Sequence, residues 1–154
     1  MGLLWRLFEM DIFFDAKHDE LIEEIVNKER VFNTLMDLAC FAAAIGWDIS
    51  TEVISKSRSK TAPERVFHSN EKSGLVYLIG VARKKSVECL RDENISWREF
   101  QISVDIGMMI LNQWCCEHPS KSKSEVILLK MLEKAELSLE DNGSDVDISE
   151  IDLV

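Results

Sequence analysis

The sequence predicts a mainly α fold of about five helices behind a short N-terminal strand. Three observations point there. Residues 10–15, MDIFFD, alternate strictly, with Met10, Ile12 and Phe14 on one face and Asp11, Phe13 and Asp15 on the other. Three hydroxyl-to-carboxylate pairs with capping-box spacing, Thr34/Asp37, Ser96/Glu99 and Ser122/Glu125, each precede an apolar run. The run LACFAAAI at 38–45 is apolar nearly all round, as expected of a buried helix.

The elements follow in order. After the strand, residues 16–29 place Leu21, Ile22, Ile25 and Val26 at helical spacing, with acids early and Lys28 late, an order that suits the helix dipole. The next helix starts at Thr34 and is expected to end at Gly46 in the left-handed position that glycine favours. It should be the central helix, with Leu35, Leu38, Phe41, Ala42 and Ile45 in the core. Residues 48–63 read as a loop ending at Pro63, and ERVFHSN as a short strand or extended arm. Residues 74–89 read as a helix, although β-branched residues leave a strand open. A helix from Ser96 to about Cys116 presents Trp97, Phe100, Val104, Met108 and Leu111, and its flank at 97–114, like the strand edge, is a candidate assembly surface. The last helix opens at Ser122. No repeat is visible.

The organisation is one helical domain over residues 1–137 and an acidic, disordered tail over 138–154. The chain has 154 residues and a net charge of −10, but the excess is local. Residues 136–154 hold seven of the 28 acids and none of the 18 bases, so the rest carries only −3. A nearly balanced body is a poor general phosphate binder, because affinity for nucleic acid comes mostly from neutralised phosphates. DNA contact should be indirect or weak. The tail alternates acids with Val146, Ile148, Ile151, Leu153 and Val154, a pattern suited to a basic, apolar partner. The opening MGLLWRLFE is too short for a signal peptide or a span and is interrupted by Arg6. It reads either as an apolar extension or as a start-site variant ahead of Met10. Four cysteines without a C-x-x-C pair suggest reduced thiols in a cytoplasmic protein.

No phosphate loop, dinucleotide fingerprint, zinc-protease helix or nucleophile elbow occurs. Cys115, Cys116 and His118 do not suit zinc, since adjacent helical residues point about 100° apart. Asp145, Asp147 and Glu150 lack the glycine and final glutamate of a calcium loop. No catalytic residue, cofactor or metal is therefore expected. The basic residues Lys56, Arg58 and Lys60 are either a solvated loop or a contact for phosphate or an acidic partner. Asp145, Asp147, Ile148, Glu150 and Ile151 are either a solvated tail or a docking segment. The strand–helix–helix opening has the order of ribbon-helix-helix repressors, which lay paired strands in the major groove. The outward Asp11 and Asp15 would meet that groove with the wrong charge.

The pattern F-x-T-x-x-D-L-x-x-F-A-A-A-I-G from Phe32 to Gly46 resembles small accessory proteins of bacterial DNA phosphorothioation (Dnd-type) modification and restriction clusters. PERVF at 63–67, the apolar segment Leu75–Val81 and REFQISVDIGMMIL at 98–111 extend the resemblance over about 10–115. It implies a non-enzymatic interaction subunit of an anti-phage defence complex, with protein subunits of that system as partners and a homo-oligomer also compatible. It brings no catalytic residues. The N-terminal extension and acidic tail depart from the pattern. The alternative is a ribbon-helix-helix-like DNA-binding regulator or antitoxin.

Overall fold

A computed structural model describes residues 10–51 and 57–143, with side chains as far as Leu139. The described chain is mainly helical with one two-stranded antiparallel sheet. Strand β1 (Ile12–Asp15) leads through a 3-10 turn (Ala16–His18) into helix α1 (Asp19–Ile22), which widens into a π turn (Glu23–Lys28). Helix α2 (Leu35–Gly46) precedes strand β2 (Arg58–Ala62). Four helices follow: α3 (Glu64–Ser69), α4 (Ser73–Lys84), α5 (Glu93–Glu117) and α6 (Lys123–Gly143), with a 3-10 turn (Val87–Leu90) between α4 and α5.

Several expectations hold. The alternation at the start sends Met10, Ile12 and Phe14 into the core. Thr34 caps α2, its hydroxyl accepting the Asp37 N–H at 3.1 Å. The Ser122/Glu125 box forms in both directions, with the Ser122 N–H donating to the Glu125 carboxylate at 3.2 Å and the Glu125 N–H donating to the Ser122 hydroxyl at 3.3 Å.

Others are corrected. The centre of the fold is α5, which packs against α2, α4, α6 and β1. Leu38, Ala42 and Ile45 are buried, whereas Leu35 and Phe41 lie at the margin, Phe41 against Phe32 at 5.1 Å between ring centroids. Gly46 is not left-handed; it is the last residue of α2. Its lack of a side chain serves a close crossing. A Cβ at Gly46 would come within 2.7 Å of the Gly107 nitrogen, and one at Gly107 would overlap the Ala42 carbonyl oxygen. The small-residue run therefore lets two helix backbones touch, the use of glycine and alanine that a periodicity argument cannot see.

Ser96 and Glu99 are not a cap, because α5 begins earlier, at Asp92, whose carboxylate accepts the Asn94 N–H at 3.1 Å. Both residues are buried inside the helix. Ser96 donates to the Cys89 carbonyl at 2.7 Å, and Glu99 accepts from Arg83 Nε at 2.9 Å. ERVFHSN is helix α3. Pro63 at its N-cap has no side-chain acceptor, and Asp11 supplies one to the Glu64 N–H at 2.9 Å. Phe67 then enters an aromatic cluster, edge-on to Trp97 and Phe100 at 5.4 and 5.6 Å. Helix α6 runs on to Gly143, past the compositional change at Ser138.

The supposed loop at 48–63 contains β2. It pairs with β1 in the register Ile12 to Ala62 and Phe13 to Thr61, with a bulge before Asp15 meets Arg58. β1 is thus paired within its own chain, not across two protomers as the ribbon-helix-helix order requires. The Phe13 N–H donates to Gln101 Oε1 at 2.8 Å, and Gln101 Nε2 donates to the Phe13 carbonyl at 2.8 Å. One side-chain amide from α5 thereby meets a residue's full backbone demand. The outward face is committed as well: Asp11 caps α3, Phe13 lies under Arg58 at 4.4 Å, and Asp15 accepts the Lys17 N–H at 3.0 Å.

Candidate functional site

Two regions stand out: the junction of the sheet with α5, and the outer face of α6. At the junction, Arg58 of β2 stacks on Phe13 opposite Asp15. Beneath them Gln101 Nε2 also donates to Asp105 Oδ1 at 3.0 Å. Asp105 is only 8% exposed. Burial pushes its carboxyl up to about 7; the Gln101 N–H opposes that rise and the nearby Asp15 charge adds to it. His18, also buried, is held below its ordinary value by burial and by Lys17, and its Nδ1 lacks a hydrogen-bond partner among the described residues. Asp105 and Gln101 were missed in the sequence because an amphipathic reading of α5 treats polar residues as solvent-facing.

A second polar group lies close by along α5, on another of its faces. Arg83 and Glu99 form a buried pair, and Arg83 Nη1 also donates to the Ile49 carbonyl at 2.6 Å and the Trp47 carbonyl at 3.3 Å. Lys84 sits 3.6 Å from the same carboxylate. A planar guanidinium with several donors suits this joint between three segments. An open cleft of about 280 Å³ lies between the α1 region and the α5–α6 corner. It brings Lys17 and Lys123 beside Glu20 and Glu24, with Cys115 in its wall. Burial pushes the Cys115 thiol up and the Cys40 thiol up to about 11, which weakens both as nucleophiles. Cys40, Cys89, Cys115 and Cys116 are all free thiols, Cys116 exposed. Among the described residues no cluster of three or more His, Cys, Asp or Glu could hold a metal ion, and no helix is long and apolar enough to cross a membrane.

Of the predicted contact residues, Arg58 and Lys60 lie on β2, with Arg58 exposed and Lys60 half-buried. Lys56 and the tail residues Asp145, Asp147, Ile148, Glu150 and Ile151 lie outside the described residues, as does the extension 1–9.

Helix α6 is docked at its start. The Glu29 carboxylate accepts the Lys123 and Ser124 N–H groups at 3.0 and 2.8 Å. Partial burial raises the Glu29 pKa, but these donors outweigh it and hold the carboxyl below its ordinary value. Val126 and Ile127 are buried; Leu128, Leu132 and Leu139 are 60, 51 and 73% exposed.

A family model for DNA sulphur modification system-associated protein 4 matches residues 14–151. The chain belongs to this family. Its members are proteins associated with DNA sulphur modification systems, so an accessory place beside such a system is established for the chain at that level. The match begins within β1 and runs through β2, all six helices and most of the acidic tail. No curated protein and no solved structure matches the chain.

Proposed function

We propose that this protein is a non-enzymatic interaction subunit of a bacterial DNA modification and restriction complex that works in the cytoplasm against phage DNA. One observation supports contact over chemistry: the buried serines and carboxylates of α5 are occupied in holding the fold. Glu99 binds Arg83, Ser96 and Ser103 donate to the carbonyls of Cys89 and Glu99, and Asp105 accepts from Gln101. Three acids nearer the surface are similarly used: Asp11, Asp37 and Glu29 accept backbone N–H groups or hydroxyls at helix starts. The exposed surface carries large apolar groups, including Trp47, Leu78 and Leu90, that a partner can cover.

The acidic tail is the ionic arm of this association. Residues 144–154 hold Asp145, Asp147, Glu150 and Asp152 among apolar residues, suited to a basic, apolar face on a neighbouring subunit. Arg58 and Lys60 offer a weaker, opposite contact. Tagged full-length chain, co-expressed with the subunits of the DNA sulphur modification system, should co-purify with them. Deleting 144–154 leaves α6 whole and should lower their recovery, more so at high salt. Recovery of the full-length chain alone would overturn the proposal.

A further inference from the structure

Where the sheet meets α5, one side-chain amide joins a buried acid to a strand. Asp105 Oδ1 accepts from Gln101 Nε2 at 3.0 Å, and the same nitrogen donates to the Phe13 carbonyl at 2.8 Å. Gln101 Oε1 accepts the Phe13 N–H, also at 2.8 Å. Both amide protons of Gln101 are therefore committed, one to β1 and one to the acid. Burial pushes the Asp105 carboxyl up to about 7; the Gln101 N–H opposes the rise, Asp15 adds to it, and Lys17 and Arg58 oppose it. Those three charges all come from one place, the bulged end of the sheet where Asp15 of β1 meets Arg58 of β2. Against the same stretch of α5, helix α2 presents Ala42 and Gly46, which carry no charge. Helices α4 and α6 meet α5 at other levels, where Arg83 pairs with Glu99 and Lys130 with Glu117.

We propose that the bulged end of the sheet is a pH-sensitive latch: it stays shut on α5 while Asp105 keeps its proton and opens to water when the proton leaves. Linkage sets the direction. Asp105 ionises near 3.8 when hydrated and near 7 when shut in, so rising pH favours the open form between those values and no further above them. Opening releases the Phe13 backbone, because the amide that holds it also holds the acid. Ile12 and Phe14 are buried on the opposite face of β1 and keep their places, which confines the opening to the outer edge. The hold of α5 on β1 is thereby tied to proton activity near neutrality.

Amide exchange on the full-length chain reads the latch at the Phe13 N–H. Corrected for the intrinsic rate, exchange there should quicken on the order of a hundredfold from pH 5 to pH 8. Asp105→Asn keeps an acceptor for Gln101 and cannot ionise, so it should lose that rise. Burial and Lys17 hold the neighbouring His18 below its ordinary value; its charging in acid is common to both chains, and their difference belongs to Asp105. In low urea, exchange at Phe13 should stay level while that at Val104 climbs, the mark of a local opening. The carboxyl carbon of Asp105, followed by NMR in the parent, should titrate near the pH at which Phe13 exchange levels off. An equal pH dependence in parent and Asp105→Asn overturns the proposal. So does a Phe13 amide that follows Val104 in urea, or a carboxyl that titrates near 4.

Discussion

Asp105 is a buried carboxyl that its surroundings carry far from its ordinary value. Its carboxyl titrates near 7 because burial penalises the anion. An unfolded aspartate ionises near 3.8, so between about pH 4 and 7 the unfolded chain releases a proton that the folded chain keeps. Asp105 therefore costs nothing below pH 4 and most above pH 7, up to about 4 kcal/mol. Asp105→Asn keeps an acceptor for Gln101 and removes that cost. Urea unfolding should show the variant more stable than the parent at pH 8, with the gap closing towards pH 4. An equal gap at both pH values would mean that packing, not ionisation, sets the difference.

At the scale of elements, the α2–α5 crossing is the decisive contact. Gly107→Ala drives a methyl into the Ala42 carbonyl, so the helices must separate, at a cost of about 2–4 kcal/mol. Gly74→Ala in α4 meets no atom within 4 Å, and should be neutral or stabilise by up to about 1 kcal/mol through helix propensity. Chemical denaturation of the two variants measures the difference; equal midpoints would remove the crossing from its central place. The elements themselves were largely legible. Strand β1 and the starts of α2 and α6 follow from alternation and from capping residues that act on their own neighbours. The elements misread depend on distant partners. Helix α3 takes its cap from Asp11, β2 becomes a strand by pairing with β1, and Ser96 and Glu99 are drawn into the core by Cys89 and Arg83.

Across the whole molecule, the two ends of the described chain are joined by Glu29, which holds the start of α6 from 94 residues away. The left-handed backbone at Arg30, with φ 51°, turns the chain directly after it. Glu29→Ala leaves the Lys123 and Ser124 N–H groups without their acceptor, a loss of about 1 kcal/mol by analogy with other helix caps. Amide exchange should quicken over the first turns of α6 and stay unchanged in α2, whereas unaltered exchange at 123–127 would assign the docking to Val126 and Ile127 alone. Composition located the acidic excess and the balanced body. It gave no hint that the leucines of α6 beyond Ile127 stand in solvent, because burial along a helix depends on where the body ends.

The amide of Gln101 has a consequence for solubility. The segment Ile12-Phe13-Phe14 has the aromatic and β-branched character of chains that stack into fibrils, and it lies beside an open margin of a sheet only two strands wide. A glutamine reaching from a helix occupies the backbone groups that an intruding strand would need. It acts as a gatekeeper against aggregation, placed eighty-eight residues downstream of the hazard it blocks.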